Sequence, residues 1–181
     1  MNVLISGGCK NGKTAFAQDV AVKLSKNGQR YYVATMLPYD DEDRARIARH
    51  IDERAGMGFR TLEQPRDIAG CLTEENKSGA FLIDSVTALL VNEMYPDMRM
   101  EGADPAAAER CRAGLLNITK EAGNAVFVSD YIYSDAIRYD AFTENYRASL
   151  AMLDRSLAAV CDTVIELCAG NVIFHKGGID L

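Results

Sequence analysis

Short apolar runs alternate along the chain with segments whose apolar residues recur every three or four positions. The runs have the length of buried strands, and the periodic segments have the spacing of amphipathic helices. The predicted strands are Asn2–Ser6, Tyr31–Ala34, Phe59–Leu62, Ala80–Ile83, Ala125–Val128, Thr163–Leu167 and Val172–Phe174. The predicted helices are Gly12–Ser25, Asp41–Ala55, Pro65–Glu74, Val86–Met94, Pro105–Ala122 (capped by Asp104) and Ala141–Val160. This alternation predicts an α/β fold in which helices cover both faces of a mostly parallel sheet.

Composition, length and net charge exclude several classes of protein. Of the 181 residues, 48% are hydrophobic and 25% are charged, which excludes a disordered or collagen-like chain. The length predicts one domain over residues 1–181, and the net charge of −6 argues against general nucleic-acid binding. Because no apolar run reaches roughly 18 residues and no basic leader precedes the first strand, we expect a cytoplasmic protein without a membrane span. The five cysteines lack metal-site spacing and are expected to be reduced thiols.

The strongest local motif lies between the first predicted strand and the first predicted helix. It has the P-loop pattern G-x-x-x-x-G-K-[ST] and consists of Gly7, Gly8, Cys9, Lys10, Asn11, Gly12, Lys13 and Thr14. Glycines allow the backbone N–H groups of such a loop to turn toward phosphate oxygens, and the N-terminus of the following helix attracts the same anion. The Lys13 ammonium is predicted to reach the terminal phosphates, and the Thr14 hydroxyl to ligate Mg²⁺. The motif therefore predicts nucleotide binding.

A P-loop protein also needs a carboxylate on the metal side, at the end of another strand. Asp84 directly follows the apolar run Ala80–Ile83 and is the first candidate. Asp130, two residues beyond the run Ala125–Val128, is the second. Asp84 can also cap the helix that begins near Ser85, and the two roles are compatible.

A histidine lies on a basic stripe of the second predicted helix. Arg46, His50 and Arg54 are four residues apart and therefore share one helix face, beside the apolar Ile47 and Ile51. A neutral imidazole can attack phosphorus, and guanidinium groups can hold phosphate oxygens, so His50 is a candidate nucleophile. The stripe alone favours a simpler interpretation, in which His50 is a half-exposed histidine in a solvated charged face.

Longer motifs resemble those of one enzyme family over nearly the whole chain. They are Ser6-Gly7-Gly8 with Gly12-Lys13-Thr14, Tyr32-Val33-Ala34-Thr35, Arg46-Ile47 with His50 and Arg54, Phe59-Arg60-Thr61 with Glu63 and Pro65, Asp84 with Thr87 and Asn92, and Leu157 through Gly170. In these motifs the chain resembles the bifunctional adenosylcobinamide kinase/adenosylcobinamide-phosphate guanylyltransferases of cobalamin biosynthesis.

This resemblance implies a RecA-like P-loop fold, often assembled as a homotrimer, and two activities at one site. The first phosphorylates adenosylcobinamide with ATP or GTP, and the second transfers GMP from GTP to adenosylcobinamide phosphate. The family's guanylylated histidine corresponds to His50, and Lys13 is expected to neutralise developing phosphate charge in the kinase reaction. The family's nucleotide contacts correspond to the P-loop and to Ala34, Thr35, Met36, Ile51, Asp52, Glu53, Arg54, Glu63 and Asp84.

The second half of the chain departs from the family pattern. After Ala125–Val128 the family usually carries an N-E-V-G tract, whereas this chain has Asp130, Tyr131 and Tyr133. Asp154 stands where an asparagine is usual. The connection 95–103 is either a substrate lid or a plain surface loop. These departures leave two alternatives open: a diverged P-loop kinase or nucleotidyltransferase with another acceptor, or a non-catalytic GTP-binding module.

Overall fold

The chain folds into seven strands, five α-helices and one short 3-10 helix in a computed structural model that describes residues 1–96, 103–133 and 136–179. The strands are β1 (Asn2–Gly7), β2 (Arg30–Ala34), β3 (Phe59–Glu63), β4 (Ala80–Asp84), β5 (Asn124–Asp130), β6 (Thr163–Cys168) and β7 (Asn171–Lys176). The α-helices are α1 (Lys13–Ser25), α2 (Asp41–Glu53), α3 (Val86–Met94), α4 (Ala107–Glu121) and α5 (Ala141–Val160). The predicted alternation of strands and helices is confirmed.

All seven strands form one sheet in the order β3-β2-β4-β5-β1-β6-β7. Every neighbouring pair is parallel except β6 and β7, which form an antiparallel hairpin at one edge. The strand that precedes the P-loop, β1, is thus separated from the strand that ends in Asp84, β4, by β5 alone. The prediction of a mostly parallel sheet is confirmed.

The core lies on both faces of this sheet, because successive strand residues point to opposite sides. In β1, Leu4 packs with one buried cluster, which also contains residues of α3, α4 and α5. Its neighbours Val3 and Ile5 pack with the other cluster, which contains residues of α1. Helix α2 contributes no buried residue to either cluster. Across the described ranges, every helix is too short or too polar to cross a lipid bilayer.

The prediction of a helix over Pro65–Glu74 is wrong, because only the 3-10 turn Ile68–Cys71 forms there. The Gln64 side chain donates to the carbonyl oxygens of Arg66 and Asp67, which helical N–H groups would otherwise approach. Asp67 has a φ of 46°, which no α-helix accommodates.

Two further predictions concern the segment between α3 and α4. The fourth α-helix begins at Ala107, two residues after the predicted start, because the Asp104 carboxylate accepts from the Ala106 N–H and closes a turn ahead of the helix. The connection 95–103, interpreted from sequence as either a substrate lid or a surface loop, falls largely on residues 97–102, which lie outside the described ranges.

The sheet brings the sequence motifs to a single edge. In the parallel pairs, Gly7 of β1 is in register with Asp130 of β5, and Ala34 of β2 with Asp84 of β4. Parallel strands have all their carboxyl ends on the same side, which is where ligands bind in open α/β sheets. The P-loop, Asp84 and Asp130 therefore meet at this edge.

Candidate active site

The P-loop has the shape that its motif predicts. Gly12 has a φ of 78° and precedes the first residue of α1, so the loop turns sharply before the helix begins. At Gly7, a Cβ atom would lie 2.6 Å from the carbonyl oxygen of Leu167, so only glycine allows β1 to end this close to β6. The loop therefore leaves the strand and presents its backbone at the N-terminus of α1, where an anion is stabilised.

Lys13 is buried and has two partners within the protein. Its Nζ atom lies 2.7 Å from Asp130 Oδ1 and donates to the carbonyl oxygen of Gly8 at 2.7 Å. Asp130 is itself held at the end of β5, where its N–H donates to the Thr87 hydroxyl at 2.9 Å. The carboxylate occupies the position of an anion beside Lys13, so an entering phosphate group competes with it for the ammonium.

Asp84, the first-choice metal carboxylate, lies beside the P-loop threonine. Its Oδ2 atom accepts from the Thr14 hydroxyl at 3.0 Å and from the Tyr32 hydroxyl at 2.6 Å. Burial and the neighbouring carboxylate raise the pKa of Tyr32, so its hydroxyl stays protonated and acts as a donor. A hydroxyl and a carboxylate oxygen are the hard ligands that Mg²⁺ takes alongside substrate phosphates. Thr14 and Asp84 thus fit a Mg²⁺ site, whereas Asp130 is engaged by Lys13.

His50 lies on α2 with its imidazole partly buried, the side chain being 22% exposed. Its Nδ1 atom is 3.0 Å from Glu53 Oε2, one turn further along the helix. Because a carboxylate only accepts hydrogen bonds, this contact places a proton on Nδ1. In the neutral form of the ring, this leaves the lone pair that a nucleophile requires on Nε2.

Arg54, at the C-terminal end of α2, is 8% exposed. Its guanidinium donates to the His50 carbonyl oxygen at 2.7 Å and to the Thr61 hydroxyl at 3.0 Å. The same group lies over the Tyr32 ring, with the guanidinium carbon 4.1 Å from the ring centre. Arg54 therefore binds α2 to strands β2 and β3.

One cavity of about 480 Å³ joins these groups. Its polar lining includes Thr14, Asp84, Asp130 and His50. Its apolar lining comes largely from the segment after β2 and from α2 and α3, and includes Met36, Leu37, Pro38, Ile47, Ile51, Ala88 and Val91. The volume is that of a small-molecule site.

Most of the site residues expected outside the P-loop line this cavity, and three do not. Those on its wall are Ala34, Met36, His50, Ile51, Arg54, Glu63 and Asp84. The P-loop contributes Thr14 to the wall, while residues 7–13 lie beyond it, with Lys13 next to the wall residue Asp130.

The three that lie off the wall are Thr35, Asp52 and Glu53. Thr35 is fully buried, and its hydroxyl bonds both the N–H and the carbonyl oxygen of Ser85. Asp52 and Glu53 are exposed outside the cavity wall. The resemblance placed all three in contact with nucleotide, whereas the structure gives Thr35 and Glu53 partners within the protein.

Sequence reasoning missed how Tyr32 and Asn92 are used. In the sequence Tyr32 lies within a buried strand and has the pattern of a core residue. Asn92 is buried; it donates to the carbonyl oxygens of Thr35 and Pro65 and accepts from the Tyr39 hydroxyl at 2.9 Å. It thereby holds the segment after β2 against α3. No local spacing signals these contacts, because each joins residues more than 25 positions apart.

Of the residues that depart from the family pattern, Asp130 lines the cavity and Asp154 does not. Asp154 of α5 is buried, and its Oδ2 atom accepts from Ser129 at 3.0 Å and from the Tyr133 hydroxyl at 2.8 Å. Burial raises the pKa of Asp154 to about 6. Tyr131 and Tyr133, which replace part of the family's tract, and the nearby Tyr139 do not line the cavity.

Comparison with known proteins supports both the fold and the family. The family described as cobinamide kinase/cobinamide phosphate guanyltransferase matches residues 3–174. No curated protein matches the chain. Among solved structures, one ATPase domain is similar, with a TM-score of 0.54 and 13% identity over 97% of this chain and 76% of its own.

A prototypical ATPase from the type III secretion system of pathogenic bacteria is also similar, with a TM-score of 0.56 and 13% identity. The match covers 93% of this chain and 51% of that one, so the chain spans about half of that protein's length. At this identity the likeness shows the fold, which is that of the P-loop ATPases.

Proposed function

Since the chain belongs to the cobinamide kinase/cobinamide phosphate guanyltransferase family, we propose that it phosphorylates adenosylcobinamide and then guanylylates the product through His50. The observation that carries this proposal is that one cavity is lined by the P-loop threonine, its partner Asp84 and a histidine. ATP or GTP is the phosphoryl donor, GTP is the guanylyl donor, and both reactions use the same nucleotide-binding edge of the sheet.

In the phosphorylation, the acceptor hydroxyl oxygen attacks the γ-phosphorus of the nucleotide. The bond from that phosphorus to the β-phosphate oxygen breaks, a nucleoside diphosphate leaves, and the hydroxyl proton passes to water. Lys13 exchanges Asp130 for the phosphate oxygens and stabilises their developing charge. Mg²⁺, held by Thr14 and Asp84, would supply further charge neutralisation when bound.

In the guanylylation, His50 Nε2 attacks the α-phosphorus of GTP. A nitrogen–phosphorus bond forms, the bond to the bridging oxygen of the β-phosphate breaks, and pyrophosphate leaves. Glu53 keeps the proton on Nδ1 and stabilises the positive charge that develops on the ring. An oxygen of cobinamide phosphate then attacks the same phosphorus, the nitrogen–phosphorus bond breaks, and free His50 is restored. The covalent intermediate divides one difficult displacement into two easier ones.

The test is the intact mass of the purified protein after incubation with GTP and Mg²⁺, followed by denaturation. We expect the mass to increase by one GMP, with the added group lost in acid. His50→Ala should show no increase, whereas His175→Ala, which changes the exposed histidine of β7, should acquire GMP as the parent protein does. Addition of adenosylcobinamide phosphate should remove the GMP and give a guanylylated product.

Two other results would contradict parts of this proposal. If the protein binds GTP but its mass does not change, the guanylyl-transfer part of the proposal is wrong. If GMP is acquired but is not passed to cobinamide phosphate, the altered tract identifies a second candidate function, nucleotidyl transfer to another acceptor. The buried Ser129–Asp154–Tyr133 cluster, in the tract that departs from the family pattern, is the observation that favours that second candidate.

A further inference from the structure

Helix α2 carries His50 but is poorly anchored by apolar packing. None of its residues is buried, and Ile51, on its apolar stripe, remains 50% exposed. Burial of apolar side chains is what normally fixes a helix against a sheet. The position of His50 must therefore depend on polar contacts at the two ends of the helix.

At the N-terminal end one contact is local and one reaches α3. The Asp40 carboxylate accepts from the Asp43 N–H and caps the first turn, and the Tyr39 hydroxyl just ahead of it donates to Asn92. The start of α2 lies about two and a half turns from His50, whereas Arg54 lies about one turn from it. The imidazole is therefore positioned more directly from the C-terminal end of the helix.

At the C-terminal end a buried side chain makes the connection. The Arg54 guanidinium holds the carbonyl oxygen of His50 itself, reaches Thr61 on β3, and stacks on the Tyr32 ring of β2. Two of its five N–H donors are therefore directed at the protein. Arg54 thus joins the backbone of the candidate nucleophile to the sheet.

Tyr32 connects this anchor to Asp84. While its ring supports Arg54, its hydroxyl donates to Asp84 at 2.6 Å. The carboxylate that fits Mg²⁺ and the backbone that carries His50 are therefore both positioned by one buried side chain, which is 5% exposed.

We propose that Arg54 and Tyr32 form a positioning pair that sets His50 relative to Asp84, and that Arg54 serves this role rather than binding nucleotide. The proposal rests on the function proposed above, in which His50 accepts GMP. It reassigns a residue that the family resemblance places in contact with GTP. Because Arg54 acts through His50, its loss should change the rate of histidine guanylylation and not the affinity for nucleotide.

Substitutions at position 54 distinguish the two roles. Arg54→Lys keeps the positive charge, so a phosphate contact would be largely preserved, whereas the stack and the two-pronged contact would be lost. Arg54→Met removes the charge as well. Arg49→Lys is the matched control, since Arg49 is an exposed arginine of the same helix.

Three measurements follow on each variant. The first is the rate of GMP attachment by intact mass, the second is the affinity for α,β-methylene-GTP, and the third is hydrogen exchange of the amides of 47–53. For Arg54→Lys and Arg54→Met we expect GMP attachment to slow at least about tenfold, affinity to stay within about threefold, and exchange to accelerate at least about tenfold. Exchange in β1 and β4 should be unchanged, and Arg49→Lys should match the parent protein.

Tyr32→Phe separates the two functions of the tyrosine. The ring remains beneath Arg54, so exchange over 47–53 should match that of the parent protein. The hydroxyl on Asp84 is lost, so the Mg²⁺ concentration for half-maximal phosphorylation should rise several-fold. Equal loosening of α2 in Tyr32→Phe and Arg54→Met would contradict the assignment of the ring as the support.

Two further outcomes would contradict either the positioning role of Arg54 or the proposed function. A roughly tenfold loss of α,β-methylene-GTP affinity in Arg54→Met, with affinity kept in Arg54→Lys and hydrogen exchange unchanged, would make Arg54 a nucleotide ligand and overturn the proposal. If the parent protein acquires no GMP, the proposed function fails, but the exchange measurement still shows whether Arg54 holds α2.

Discussion

At the scale of single residues, the hydrogen bond between Glu53 and His50 determines which imidazole nitrogen can react. The carboxylate holds the proton on Nδ1 and leaves Nε2 as the nitrogen that acts as nucleophile in the proposed reaction. Glu53→Gln keeps an oxygen that can accept this hydrogen bond but removes the charge that stabilises the ring as it becomes positive. A hydrogen bond to a charged group is worth about 1 kcal/mol more than one between neutral groups, which corresponds to a rate change of roughly fivefold. We therefore expect GMP attachment to slow by about that factor.

The measurement is single-turnover formation of the GMP-linked protein at saturating GTP. Affinity for α,β-methylene-GTP should change less than about twofold, because Glu53 lies outside the cavity wall. Glu42→Gln makes the same chemical change at an exposed position in the first turn of the same helix and should have no effect. Weaker nucleotide binding in Glu53→Gln, with an unchanged rate at saturation, would instead restore the nucleotide-contact role that the family resemblance implies.

At the scale of secondary-structure elements, Asp154 links α5 to the end of β5 and gives the protein a dependence on pH. Burial raises its pKa from 3.8 to about 6 in the folded protein. The folded state thus favours the protonated carboxyl, and the associated stability is present at low pH and lost as pH rises from about 4 to 6. Asp154→Asn cannot titrate at this position. Between about pH 4.5 and 7.5 the parent should lose about 2 kcal/mol of its free energy of unfolding that the variant keeps.

Urea unfolding at the two pH values provides the measurement. The comparison uses the change between the pH values, so any constant effect of the amide on packing cancels. Asp162→Asn, an exposed aspartate beyond the end of α5, serves as the control. A difference between Asp154→Asn and the parent that is the same at both pH values would show that Asp154 does not titrate in this range.

The same scale shows which parts of the fold were predictable from sequence. Strands such as β4 were predicted because four consecutive apolar residues, Ala80–Ile83, are buried on both faces of the sheet. The 3-10 turn at Ile68–Cys71 was not, because it depends on where the Gln64 side chain folds back. The P-loop and Asp84 were found from local spacing, whereas the link from Tyr32 to Asp84 spans 52 positions and exists only after the sheet forms.

At the scale of the whole molecule, the site is assembled by the sheet and does not exist before folding. Its polar groups come from the first turn of α1, from the ends of β4 and β5 and from α2, which lie far apart in the chain. A nucleotide that binds this assembly binds only the folded state, so it must stabilise the protein by mass action. At a nucleotide concentration about one hundred times Kd, the gain is about 2.7 kcal/mol.

For a chain of this length, that gain corresponds to an increase in Tm of roughly 5–10 °C. We expect this increase with α,β-methylene-GTP and Mg²⁺ in the parent protein and in His50→Ala, because the proposed function assigns His50 to the chemical step. Lys13→Met should abolish it, since the buried ammonium is the cation that a phosphate would take from Asp130. Each variant is compared with its own Tm without nucleotide, so loss of the Lys13–Asp130 ion pair does not distort the result. If His50→Ala lost the increase as completely as Lys13→Met, His50 would be a nucleotide-binding residue. The proposal that Lys13 binds nucleotide while His50 only reacts with it would then be wrong.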